Sequence, residues 1–258
     1  MKIALAQINI IFEDLHSNYV TVEEFVRQAK DNDADLIVFP EMTCTGFTMN
    51  GKNFANQDNE TLRFMKEISK RFQIKICFGQ AVYRNHHYYN NLMIVDGDEE
   101  LLSYDKIHPF QDEAKYYERG KSIQRCFIKQ IPISAFICYD LRFPEIFQYA
   151  SCVSDIIIVI ASWPDIRDEH WLTLLKARAI ENQCYIIGVN RVGDDPRYSY
   201  LGHSVVYNSY GDMITSLSTE EENIYIEINR EDIKNAVQGF DTRQDRRNAL
   251  YLDLYNKM

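Results

Sequence analysis

No apolar run in this 258-residue chain approaches the roughly 20 residues that a membrane helix requires; the longest lies around 156–161 (IIIVIA). A basic excess is also missing. The formal charge is −10 and the pI about 5.1, so the basic face on which nucleic-acid binding rests is not expected. There is no CxxC pair. The six cysteines, Cys44, Cys77, Cys126, Cys138, Cys152 and Cys184, are scattered and form no Cys/His cluster with zinc-ligand spacing. Residues 1–12 alternate, hold too short an apolar run for a secretory signal, and are followed at once by Glu13 and Asp14. Together these absences predict a reduced, cytoplasmic protein with no membrane and no nucleic-acid partner. Linkers rich in Gly, Pro or Ser, repeats and low-complexity segments are absent too, so one domain over 1–258 is expected.

What is present is an alternation of strand and helix signals. Residues 2–8 (KIALAQI) alternate like a strand, and Ser17 is placed to cap a helix over 18–30. Residues 36–39 (LIVF) read as a short buried strand ended by Pro40, 61–72 as a helix and 74–83 as a strand. Residues 91–95 and 101–104 read as a hairpin turned by Asp96 and Gly97. A long charged loop over 105–120 precedes a strand at 126–129. Residues 155–161 read as a fully buried strand. Asp168 is placed to cap a helix over 169–183, and 185–190 is the next strand. Segments 203–207, 213–216 and 224–228 form a late β run before a tail that starts helical at Glu231 and turns basic and aromatic over 242–252. This order predicts a layered α/β fold.

The chain is organised around 131–147, IPISAFICYDLRFPEIF. Its first half suits a strand covered on both faces, and Pro144 suits the first turn of a following helix, where a missing N–H costs nothing. Cys138 stands at the junction, where the positive end of that helix would favour its thiolate. A buried cysteine acting as a small hydrophobe is the alternative reading.

Three other segments place a reactive or aromatic side chain just past a strand: Glu41 (LIVFPE), Lys106 (SYDKIHPF) and Trp163 (IIIVIASWPD). In layered α/β folds ligands bind outside the carboxyl ends of strands. Singly, Glu41 reads equally as a solvated carboxylate, Lys106 as a surface charge and Trp163 as core. Taken together, PEMTCTGF, YDKIHPF and ICYDLRFPE, in that order and spacing, resemble the nitrilase superfamily of carbon–nitrogen hydrolases over essentially the whole chain. The wording of CYDLRFPE, SWPDIRDEHW and KARAIENQCYIIGVNRVG is most similar to the ω-amidase (2-oxoglutaramate amidase) branch.

That resemblance implies a four-layer αββα sandwich and a Glu–Lys–Cys triad of Glu41, Lys106 and Cys138. It implies an assisting glutamate before the glycine of YYERG, placed at Glu113 by its offset from Gly120, with Glu118 as the rival. Lys106 and the backbone N–H of Tyr139 would receive the oxyanion. The implied substrate is a small amide, the terminal amide of a short dicarboxylic acid such as 2-oxoglutaramate or succinamate. Its far carboxylate calls for a cation, for which Arg167 is the candidate, with Trp163 as a wall of the site. A surface arginine opposite Asp165 or Asp168 is the other reading of Arg167. His108 is expected to be structural, and Arg142 to anchor the turn after Cys138 through hydrogen bonds. No cofactor and no metal is implied. The family's dimers imply a homodimer or higher homo-oligomer, with the helices after Cys138 and over 169–183, and the tail over 230–258, as interface candidates. A nitrilase, an N-carbamoyl amino acid hydrolase and a non-catalytic binding protein on this scaffold are the competing readings.

Overall fold

The computed structural model describes residues 1–55, 59–236 and 240–257. Its strands, in chain order, are β1 (Lys2–Gln7), β2 (Leu36–Val38), β3 (Lys75–Arg84), β4 (His87–Asp96), β5 (Glu99–Asp105), β6 (Arg125–Ile128), β7 (Ile131–Ile137), β8 (Ile156–Ala161), β9 (Tyr185–Asn190), β10 (Val192–Asp194), β11 (Ser199–Leu201), β12 (Val205–Tyr207) and β13 (Glu222–Glu227). They form a six-stranded sheet in the order β13-β1-β2-β3-β4-β5, a five-stranded sheet in the order β12-β9-β8-β7-β6, and the ribbon β10-β11. In each sheet three strands run parallel (β1, β2 and β3; β7, β8 and β9), with antiparallel partners outside them. β5 is antiparallel to β4, which is antiparallel to β3, so β5 ends at the same edge as β2.

Side-chain alternation with period two sorts the first sheet into two faces. Ile3, Leu5, Leu36 and Val38 join Ile133, Ala135 and Ile137 in one core, whereas Ala4, Ala6, Ile37 and Ile76 pack with Val22, Phe25, Met65 and Ile68 in another. The second group comes from helices α1 (Leu15–Asp31) and α3 (Glu60–Phe72); the short α2 (Gly51–Phe54) lies between them in sequence. Every residue of β8 is buried, as its unbroken IIIVIA predicts for a central parallel strand. Helices α4 (Pro144–Ser151) and α5 (Asp168–Asn182) contribute Phe147, Trp171 and Leu175 to the core around it. The layers are therefore αββα. Helices α6 (Arg230–Ala236) and α7 (Asn248–Tyr255) follow β13.

Several local expectations are corrected. Asp14, not Ser17, caps α1: its carboxylate accepts the Ser17 N–H at 3.1 Å and the Ser17 hydroxyl at 2.7 Å. Asp168 is the first residue of α5, not its cap, and its carboxylate meets His203 Nδ1 at 2.8 Å. Residues 213–216 form no strand; Met213 makes one isolated bridge to Tyr207. β4 starts at His87 rather than 91, because Asn85 and His86 both take positive φ (52° and 67°) and close a tight β3–β4 hairpin that an Asn-His pair does not advertise as Asn-Gly does.

Candidate active site

Glu41, Lys106, Cys138 and Trp163 all follow strand ends at one edge of the paired sheets, after β2, β5, β7 and β8. Glu41 sits past Pro40 on a loop that closely approaches Gly79 of β3. A Cβ on Gly79 would lie 2.5 Å from the Met42 nitrogen and 2.9 Å from the Glu41 Cα, so only glycine lets the two backbones meet. Gly79→Ala is expected to push Glu41 out of place, lowering kcat by about 10-fold or more and stability by about 1–3 kcal/mol. Steady-state kinetics and thermal unfolding check both.

Lys106 Nζ lies 2.8 Å from Glu41 Oε1 and 2.8 Å from Glu113 Oε2, and all three side chains are essentially inaccessible to solvent. Burial alone would lower the lysine, but the Coulombic pull of Glu113 and Glu41 outweighs it, and the net shift is upward. Lys106 is thus held as an ammonium. Glu113 sits on a single 3₁₀ turn, Gln111–Lys115. Burial raises it, against the pull of Lys106. Glu118 is elsewhere, half exposed and 3.4 Å from His87 Nδ1.

Cys138 opens a second 3₁₀ turn, Cys138–Arg142, and takes φ 46°, a conformation costly for a residue with a Cβ. α4 begins only at Pro144. The expected thiolate-favouring effect of a helix end is not what governs the thiol. Burial, and then the charge of the Glu41 carboxylate, push it well above the ordinary thiol value; Lys106 pulls the other way and loses. At rest the sulfur carries its proton.

Asp140, absent from the sequence-based site, ties the Cys138 turn to the Lys106 loop. It accepts from Tyr104 Oη at 2.8 Å and from the Ile137 N–H at 3.1 Å on one oxygen. The other meets the His108 N–H at 3.0 Å and His108 Nδ1 at 2.8 Å. His108 also stacks on Phe143 with ring centroids 3.7 Å apart, the structural placement expected of it. Asn90 is a second unforeseen member: its Nδ2 donates to Glu41 Oε1 at 2.7 Å and to Glu113 Oε1 at 2.8 Å. Ser162 is a third, its backbone N–H donating to Glu41 Oε2 at 3.0 Å. Asn90 carried one weak signal, an Asn-Asn pair inside an apolar strand, where asparagine is depleted.

Cys138 opens onto a cleft. Phe47, Phe110, Trp163, Tyr198 and Tyr200 give it an aromatic lining, and Arg142 and Arg167 supply its positive charge. Trp163 is both buried and a wall of the cleft. Its Nε1–H donates to the Arg167 carbonyl at 2.8 Å, which fixes the backbone from which that guanidinium extends. The guanidinium lies over the rings of Phe110 and Tyr198, 5.5 and 5.7 Å from their centroids. Neither Asp165 nor Asp168 pairs with it: Asp165 accepts the Ile166 N–H and Asp168 faces His203. Arg142 departs from expectation. It lines the cleft over Trp163 at 4.9 Å and bonds His170 at 3.2 Å, leaving the turn to be anchored by Asp140 and by Arg178, which donates to the Leu141 carbonyl at 2.8 Å.

The fold is that of a known class. A crystal structure of a CN-hydrolase superfamily protein from Xanthomonas campestris, with an arsenic adduct in its active site, superposes with a TM-score of 0.90 at 26% identity, over 95% of this chain and 97% of that one. The chain is 30% identical over 99% of its length to the whole of a hydrolase in the agr operon of Staphylococcus aureus. It is 31% identical to a 2-oxoglutaramate amidase of Bacillus subtilis, over 91% of this chain and 93% of that one. Residues 2–238 match the carbon–nitrogen hydrolase family model. The chain belongs to that family, and it is a hydrolase of carbon–nitrogen bonds other than peptide bonds.

Proposed function

We propose that the protein is a thiol amidase that hydrolyses the terminal amide of a short dicarboxylic acid, such as 2-oxoglutaramate or succinamate, to the acid and ammonia. Similarity to a 2-oxoglutaramate amidase supports the substrate class. The observation that carries it is the Arg167 guanidinium, which shares a cleft with Cys138, is flanked by Phe110 and Tyr198 and is left without a side-chain hydrogen bond among the described residues. A planar fork of free donors suits a carboxylate. Arg142 is the weaker receptor because His170 already engages it.

In the mechanism we infer, the Cys138 sulfur attacks the amide carbon while its proton passes to Glu41. The carbonyl oxygen becomes an oxyanion facing the Lys106 ammonium and the Tyr139 backbone N–H. The C–N bond breaks as Glu41 returns the proton to the leaving nitrogen, and a thioester remains. Water then attacks the thioester with Glu41 again as base, releasing the acid and the thiol. Before reaction Glu41 and Glu113 both bond the buried Lys106 ammonium. Glu113 keeps Lys106 charged.

Arg167→Ala tests the substrate assignment. KM for 2-oxoglutaramate is expected to rise about 30-fold or more, the scale of a lost charged hydrogen-bond pair, while KM for an uncharged short amide stays within a fewfold. Equal losses on both would remove Arg167 from substrate binding.

The chain is further proposed to act in a reducing cytoplasm as a homodimer or larger homo-oligomer. All six cysteines are free. Ile180 of α5, Tyr149 of α4 and Leu252, Leu254 and Tyr255 of α7 leave an apolar surface exposed, while Arg243 and Arg246 of the tail clamp the carbonyls of Ser151 and Gln148. Sedimentation velocity tests the oligomer; a monomer at micromolar concentration would end that part of the reading.

A further inference from the structure

Asn90 is the residue through which Glu41, Glu113 and Lys106 are tied together, and nothing in the mechanism above uses it. It is 1% exposed. Its Nδ2 gives one hydrogen to Glu41 Oε1 and the other to Glu113 Oε1, and its backbone carbonyl accepts the Lys106 N–H at 2.9 Å. Its own Oδ1 is buried with no hydrogen-bond partner. The opposite orientation of the amide would set that oxygen against two carboxylates, so electrostatics fixes the assignment. The arrangement forgoes pairing one acceptor in order to give both donors to the carboxylates.

The consequence concerns the two oxygens of Glu41. Oε1 is occupied twice, by Asn90 Nδ2 and by Lys106 Nζ. Oε2 accepts only the Ser162 N–H among the described residues. Ser162 is also the residue whose carbonyl lies 4.0 Å from the Cys138 sulfur. The open lone pair of the base is therefore on the oxygen held beside the residue that the thiol touches.

We propose that Asn90 is a positioning residue that blocks Glu41 Oε1 and so directs the thiol proton to Oε2. The proton leaves sulfur as the C–S bond forms, resides on Oε2, and departs on the leaving nitrogen as the C–N bond breaks, so no outside acid or base is needed. Asn90 itself touches no substrate. The inference rests on Glu41 as the base.

The test uses the full-length protein with Asn90→Ser and Asn90→Asp, and Glu41→Gln as control. Asn90→Ser removes the paired donors and leaves room for water. Asn90→Asp keeps the shape but replaces the donors with a carboxyl. Three quantities are read: kcat and KM on a short amide, the rate at which iodoacetamide blocks Cys138, and the thermal midpoint. Both variants are expected to lose about 100-fold in kcat, the scale of general-base catalysis, with KM within about threefold. Iodoacetamide inactivation should slow in parallel, because it too needs the thiol proton removed. A purely structural role would lower the thermal midpoint without slowing alkylation in the folded fraction. Folded Asn90→Ser protein with kcat and alkylation rate within about threefold of wild type would overturn the proposal, as would a loss confined to KM. An active Glu41→Gln variant would instead sink the base assignment beneath it.

Discussion

Cys138→Ala is expected to lower ammonia release from 2-oxoglutaramate by about 10,000-fold or more, the scale seen when a covalent nucleophile is deleted, with thermal stability within about 1 kcal/mol of wild type. The reason lies in what the sulfur does and does not touch. An amide carbonyl resists water, and without the thioester the reaction must pass in one difficult step. Structurally the side chain matters little: it is half buried, and its hydrogen-bond acceptor, the Ser162 carbonyl, stands 4.0 Å away, a weak contact. Both cysteine and alanine carry a Cβ, so the positive φ at this position is equally awkward for either. Cys138→Ser is also expected to fail. The resting thiol is already pushed up by burial and by Glu41, and a hydroxyl gives up its proton still less readily. Measurement is by coupled ammonia assay and calorimetry on the same preparations. Turnover near the wild-type rate in the alanine variant would end the acyl-enzyme mechanism.

Much of this architecture was written in local pattern. The alternation in KIALAQI sends Ile3 and Leu5 inward and Ala4 and Ala6 toward α1, and the unbroken IIIVIA marks a central parallel strand. The motifs placed Glu41, Lys106 and Cys138, the offset from Gly120 placed Glu113 against Glu118, and Glu41, Lys106, Glu113 and Cys138 lie together. What stayed illegible depends on distance or on burial. Asn90 is an unremarked strand residue until Glu41 and Glu113 arrive from 49 and 23 positions away. The state of the Cys138 thiol follows from desolvation and from Glu41, neither of which a strand-to-helix junction reveals, and the nearby helix end pointed the wrong way. The misplaced caps, Ser17 and Asp168, have a simpler cause. Several residues near each helix start could accept an N–H, and only geometry selects one.

Lys106→Met is expected to cost both activity and stability, with a pH dependence that separates the two. The substitution keeps the stem near Phe47, above whose ring Nζ stands at 5.1 Å, but removes the ammonium bonded to Glu41 and Glu113. Loss of one oxyanion donor accounts for about 3–4 kcal/mol of transition-state stabilisation, a 100- to 1,000-fold fall in kcat. The fall should exceed that, because Lys106 also holds Glu41 in place through the 2.8 Å bond to Oε1. Breaking a buried ion pair from one side destabilises by about 3–5 kcal/mol. The sign with pH follows from Glu113. Burial raises it, and Lys106 is the largest influence pulling it down. Without the lysine its folded-state pKa climbs further while its unfolded value stays near 4.3. A carboxyl with a raised folded pKa favours folding below the unfolded value and loses that contribution as pH rises through the interval up to the folded one. The variant should therefore be most destabilised at neutral and alkaline pH and should regain part of the deficit toward pH about 5. Urea unfolding of both proteins from pH 5 to 8 measures the gap. A gap that is constant across that range, or that widens on acidification, would show that Lys106 does not neutralise the buried carboxylates.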